Sequence, residues 1–158
     1  MGFSDKMRET LGSEGARIEV MADEEGWAGR ASPGGVAEAK IKIVGGTKTA
    51  HIEAVTLRVI IRHRHWSDGQ GMSFTEQQAR EFEDRRQLMP AWSRELIAQA
   101  RVEVDADVDT AGERELSVQV QVPGHCDRTT VACTITLHAQ ADIRGQIDPT
   151  ATGKLLVA

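Results

Sequence analysis

Residues 52–66 read Ile52-Glu53-Ala54-Val55-Thr56-Leu57-Arg58-Val59-Ile60-Ile61-Arg62-His63-Arg64-His65-Trp66. Val55, Leu57, Val59 and Ile61 occupy every second position, with Thr56, Arg58 and Arg62 opposite. Successive side chains of a strand point to opposite faces, so the spacing predicts a strand with one dry and one wet side. The same period extends outward in both directions. It recurs in Ala16–Ala22, in Val36–Val44 (Ala37, Ala39, Ile41 and Ile43 against Glu38, Lys40 and Lys42), and in Val102–Val108. It returns in Leu116–Val122 and in Val131–Ile143, where Cys133, Ile135, Leu137, Ala139 and Ala141 alternate with Thr134, Thr136, His138, Gln140 and Asp142. Wet outer faces fit antiparallel sheets rather than the doubly covered parallel sheets of nucleotide-binding folds.

Turn formers separate these segments: Ser32-Pro33-Gly34-Gly35, Gly45-Gly46, Asp68-Gly69, Ala111-Gly112, Pro123-Gly124 and Asp148-Pro149. One amphipathic sheet alone would leave its apolar face in water, and two facing sheets remove that cost. The expected fold is mainly β, an antiparallel immunoglobulin-like sandwich. The 158 residues form one domain, 1–158, with no internal boundary.

Two segments break the period. In residues 2–12, Phe3, Met7 and Leu11 stand four apart and predict a short helix that needs a surface to dock on. In Ser73–Ala98, Ser73 and Glu76 match a capping box, Glu76–Gln87 is rich in helix formers, and Pro90 ends the run. This predicts a helix-containing excursion folded against the sheets, with a mobile flap as the alternative. The two cysteines, Cys126 and Cys133, lie along what reads as one extended segment. That geometry separates Cα atoms too far for a bridge, so both are expected as small apolar residues in a reducing compartment.

Several of these pieces together have a familiar order. Gly15-Ala16-Arg17-Ile18-Glu19-Val20 is followed by Pro33-Gly34-Gly35-Val36 and by Ala39-Lys40-Ile41-Lys42-Ile43-Val44-Gly45-Gly46. Ile52-Glu53-Ala54-Val55-Thr56-Leu57, Val118-Gln119-Val120-Gln121-Val122-Pro123 and Ala141-Asp142-Ile143-Arg144-Gly145-Gln146-Ile147-Asp148-Pro149 come next. Over residues 1–66 and 98–157 the chain resembles the bacterial sporulation-control proteins of the stage-zero M type. The resemblance implies an arrestin-like sandwich and a cytoplasmic regulatory or scaffolding role, linked in the family to sporulation control and cell division. It implies no catalytic residues. Family members commonly hold two such sandwiches, and this length accommodates one.

Chemistry-bearing motifs are scarce. Thr152-Gly153-Lys154-Leu155 ends like a phosphate loop, but its earlier glycine is replaced by Asp148 and its Ser/Thr by Leu155. Gly69-Gln70-Gly71 lacks a third glycine, and no serine sits in a nucleophile elbow. No catalytic residue and no cofactor is expected. A net charge of −5 argues against a dedicated nucleic-acid binder, and no apolar run reaches the ~20 residues of a membrane span. With 4% aromatic residues, few stacking platforms exist, and Trp27, Trp66 and Trp92 are expected as core or loop anchors.

Two clusters remain. His63 and His65 project to one strand face about 7 Å apart, close enough to share a metal if His51, His125 or a carboxylate completed the site. The competing reading is a strand end where histidines meet water. Arg58, Arg62 and Arg64 take the opposite face and, with Arg80, Arg85 and Arg86 of the excursion, make a basic patch suited to a protein partner. Glu103, Asp105, Asp107 and Asp109 form an acidic counterpart, which leaves self-association open. The reading is a non-enzymatic module that binds an unidentified protein through a strand edge or the excursion. Its alternatives are a metal-dependent protein using His63 and His65, and a structural homo-oligomer.

Overall fold

The computed structural model describes residues 15–123 and 132–158. Its elements, in chain order, are β1 (Arg17–Val20), β2 (Trp27–Ala31), β3 (Val36–Val44), β4 (Ala50–Ser67), β5 (Ser73–Phe74), α1 (Glu76–Arg80), β6 (Met89–Val108), β7 (Glu113–Gln121), β8 (Cys133–Ile143) and β9 (Thr150–Val157). The stretch around Leu57 is the middle of β4, on which the larger sheet is assembled. β4 pairs antiparallel with β6 on one side, from Ala50↔Val108 to Ser67↔Met89, and with β8 on the other, from Ile52↔Ile143 to His63↔Cys133. β9 extends the sheet from β8, and β2 runs parallel to β9 at its far edge. A second sheet has the order β1-β3-β7.

The dry faces predicted from alternation meet in one core. Ile41 and Ile43 of β3 and Val118 of β7 are fully buried in the same cluster as Leu57, Val59 and Ile61 of β4, Leu137 of β8 and Leu155 of β9. Burying each such side chain contributes about 1.5–3 kcal/mol. Gln146, in the turn after β8, ties the two ends of the described chain together: its Oε1 accepts from Ala16 N–H at 3.1 Å and its Nε2 donates to Ala16 O at 3.0 Å.

Several expectations need correction. The sheets are not wholly antiparallel, because β2 and β9 run parallel. The excursion at 73–98 holds little helix. Ser73 belongs to β5, Thr75 is the N-cap, its hydroxyl accepting from Gln78 N–H, and α1 ends after Arg80. A 3-10 turn covers Arg85–Gln87, and residues 89–98 extend β6. Pro90 starts a strand rather than ending a helix, which an edge strand tolerates because one of its sides needs no ladder donor.

Cys133 is disulfide-bonded, not free. β8 begins at Cys133 and Ala132 before it lies in a turn, not in the strand expected from Val131. Cys126, the other cysteine of the chain, lies outside the described residues, as do Phe3, Met7 and Leu11 of the expected first helix.

Candidate interaction site

Among the described residues β6 is hydrogen-bonded only to β4, so among them one side of this 20-residue strand is a free sheet edge. Two bulges interrupt it. Ile97 is the extra residue between Val59↔Ala98 and Ile60↔Leu96, and Val104 and Asp105 together oppose Glu53. The first bulge turns Ile97 towards the core and leaves Leu96, 52% exposed, on the outer face. A groove of about 410 Å³ runs beside it, lined by Ile97, Ala98, Gln99, Val120, Gln121 and Pro123, between the free edges of β6 and β7.

The outer face of the larger sheet follows from register. Directly opposed residues share a face. Arg62 therefore stands beside Arg94 and Thr134, Arg64 beside Trp92, Ile60 beside Leu96 and Thr136, Arg58 beside Gln99 and His138, and Thr136 beside Lys154. Arg58, Arg62 and Arg64 share this face, as expected. Arg58 donates to Gln99 Oε1 at 3.2 Å and to Gln140 Oε1 at 3.0 Å. The Arg62 guanidinium lies 4.4 Å from the Trp92 ring centroid. Arg64 is paired with Glu76, which also accepts from Trp66 Nε1 at 2.9 Å, and the cation beside it holds the Glu76 carboxyl below its ordinary range.

Of the excursion's arginines, Arg85 lies 5.9 Å from the Trp66 ring and Arg80 stands near Glu76 at the end of α1. Arg86 is 92% exposed and pairs with Asp84 at 3.1 Å, away from the others. The basic patch is thus split: Arg64 and Arg85 fasten the excursion to Trp66, while Arg58 and Arg62 remain open. Arg94, Trp92 and Leu96 complete it. They follow Pro90 in the excursion, where no strand was expected; read with period two, they would have joined Arg62. Trp92 is 41% exposed on this face, outside the core.

His138 sits between the arginines, its Nε2 3.5 Å from Arg94 Nη2. Burial first, then the charges of Arg94 and Arg58, push its pKa below the ordinary histidine value. His63 and His65 do share the opposite face, with ring centroids 6.3 Å apart, and His65 Nδ1 lies 3.1 Å from Ser93 Oγ. Among the described residues no group of His, Cys, Asp or Glu side chains converges to hold a metal.

The acidic run of β6 is spent locally. His51 Nδ1 lies 2.7 Å from Asp107 and its Nε2 2.9 Å from Asp105, whose backbone is in the left-handed region at φ 45°. Ionised carboxylates only accept, so the arrangement, with a carboxylate at each ring nitrogen, favours the protonated ring. Its pKa is raised, chiefly by the Asp107 hydrogen bond and then by Asp105, against burial and the charge of Arg144. Arg144 is itself held by Glu53 at 2.7 Å. A raised histidine pKa adds stability that is complete below the ordinary value of 6.5 and lost as pH climbs through the folded value. The urea midpoint of the wild type should exceed that of His51→Gln by more at about pH 6 than at about pH 8.5. An equal gap at both would show that the ring is not doubly protonated.

A family model described as SpoOM protein matches residues 5–158, which includes the excursion left outside the sequence resemblance. The crystal structure of Spo0M, a sporulation control protein from Bacillus subtilis, matches with a TM-score of 0.62 at 15% identity, over 90% of this chain and 49% of that one. The chain therefore spans about half of that protein's length, and the likeness shows the fold alone. A CARDB domain from Pyrococcus furiosus, solved in complex with di-metal ions, gives a TM-score of 0.41 at 13% identity over 90% of this chain and 87% of its own. A superoxide reductase from Ignicoccus hospitalis gives 0.45 at 9% identity over 100% and 99%. Likenesses that slight bear on nothing further. No curated protein matches the chain.

Proposed function

Because the chain belongs to the SpoOM protein family, we propose that it is a non-enzymatic, regulatory interaction module with an arrestin-like sandwich fold, and that it binds a protein partner along the free edge of β6. The observation that carries this reading is that edge itself: a strand side unpaired among the described residues, opening onto the groove towards β7. Unpaired N–H and C=O groups on a sheet edge can add a strand from another chain, with pockets beside the edge selecting alternate side chains. The two bulges confine such pairing to the short regular stretch between them, 98–103, and to 89–96, which makes indiscriminate edge-to-edge association harder. A cytoplasmic location belongs to the same proposal and rests on the family; the Cys133 disulfide is the feature that runs against it, since disulfides are rare in reducing compartments. No helix of the described residues is long and apolar enough to cross a membrane.

The test is site-specific photocrosslinking in the native cell. A photoreactive residue at Gln99, on the groove, should capture a defined protein that the same residue at Glu19, on the exposed side of β1, does not. Identical capture from both positions, or none from Gln99, would remove the edge as the binding element.

A further inference from the structure

We propose that the outer face made by Arg58, Arg62, Arg94 and Lys154, with Trp92 and Leu96 beside them, receives an extended acidic segment of a protein partner. This deepens the partner-binding reading and rests on it.

The argument begins with charge. The chain as a whole carries −5, yet this face gathers cations. Among the described residues, no carboxylate lies within ion-pair distance of Arg58, Arg62, Arg94 or Lys154. The arginines elsewhere on the face are matched: Arg64 with Glu76, and Arg101 with Glu103 at 2.8 Å and Asp142 at 3.8 Å. Arg62 and Arg94 are also directly opposed across β4 and β6, an arrangement of like charges that works against the sheet. Thr134 and Thr136 supply hydroxyls on β8 beside them, and Arg58 and Arg94 flank His138 from either side. Such a face is complementary to carboxylates and repels other cations.

Geometry adds an apolar component. Leu96, turned outward by the Ile97 bulge, and Trp92 are both exposed on β6, one on each side of Arg94. A strand added to that edge would present every second side chain to this face, so successive outward residues would meet Trp92, Arg94 and Leu96 in turn, and an acidic one beside Arg94 would lie in the same cross-strand row as Arg62. The same features disfavour a single-stranded nucleic acid. Arg62 and Arg64 stack over the Trp92 ring at 4.4 and 5.8 Å, which occupies the platform a base would need.

The test uses the full chain and three fluorescent probes: an alternating Glu/Val peptide, its Gln/Val counterpart and an oligothymidylate. The Glu/Val peptide should bind at least tenfold more tightly than the Gln/Val peptide. The double variant Arg62→Gln/Arg94→Gln should lose at least tenfold of that affinity while keeping the wild-type urea midpoint, since both side chains point outward and repel each other. Bound carboxylates should also raise the His138 pKa measured by NMR while the dispersed amide spectrum of the folded chain is retained, because loss of fold would raise that pKa too by relieving its burial. Equal binding of the two peptides, or an unchanged affinity in the double variant, overturns the proposal. So does tighter binding of the oligothymidylate, which would make the face a nucleic-acid site. Dimerisation in sedimentation that the double variant abolishes would overturn it in favour of a second copy of this chain. Crosslinking from Gln99 that persists in the double variant removes the acidic segment alone and leaves the edge reading standing. Loss of edge crosslinking with Glu/Val binding intact removes the edge reading alone.

Discussion

Gly45→Ala should destabilise the protein by about 3 kcal/mol or more, at the upper end of what forced overpacking costs. Gly45 follows β3 and its N–H donates to Gly112 O at 2.8 Å, while Ala111 N–H reaches Gly46 O at 3.4 Å. Two turns, one after β3 and one after β6, are therefore clasped together at one end of the molecule. A methyl group on Gly45 would overlap the carbonyl oxygen of Asp109 and stand 3.2 Å from Val108 Cγ1. The first obstacle is main chain, so no rotamer change relieves it; the turns must part. At roughly 2–4 °C per kcal/mol for a chain of this size, the melting temperature should fall by about 6–12 °C. A urea titration that places the variant within about 1 kcal/mol of wild type would show that the clasp yields at little cost. Ala111 holds a left-handed conformation there at φ 57°, which marks this turn as already constrained.

Leu57→Ala should cost about 2–5 kcal/mol, the range for emptying a buried leucine site. Leu57 is fully buried at the centre of β4 and its partners in register are Ala100 and Ala139. Neighbours that small cannot swing in to fill the space. Most of the lost volume should therefore persist as a cavity, and the melting temperature should drop by about 4–20 °C. Arg58, next to Leu57 in sequence but on the outer face, offers the internal comparison. Its replacement by Gln should move the midpoint by no more than about 0.5 kcal/mol, as substitutions away from the core do. Comparable losses in both would mean that the two faces of β4 are not distinct in energy.

What could be read beforehand depended on whether one period ran uninterrupted through an element. β3 is legible to the residue because nothing breaks its alternation from Val36 to Val44. β8 and the middle of β4 are legible for the same reason. The first half of β6 was hidden by the Ile97 bulge, which brings Leu96 and Ile97 together in sequence as a helix stripe would while sending them to opposite faces. β2 (Trp-Ala-Gly-Arg-Ala) and β9 (Thr-Ala-Thr-Gly-Lys-Leu-Leu-Val) each contain a glycine that argues locally against a strand. At Gly153 the glycine is structural: a Cβ there would come within 2.5 Å of Ala28 Cβ, so the close approach of β2 requires its absence. The site was half legible. Arg58, Arg62 and Arg64 stood out on one strand, but Arg94 and His138 reach them only through pairing across the sheet, which no local pattern encodes. His63 and His65 stood out more, and among the described residues no metal-holding group converges on them.

The parallel ladder between β2 and β9 sets a timetable for synthesis. β2 leaves the ribosome well before β8, but its hydrogen-bonded partner among the described residues is β9, which follows β8. Until β9 emerges, the outer margin of β8 has no cover and β2 has nowhere to anneal. The nascent protein must therefore carry an apolar seam unzipped from β2 until β9 is made, and the hairpin of β4 and β6, closing over neighbouring residues, has to keep the rest in order until then.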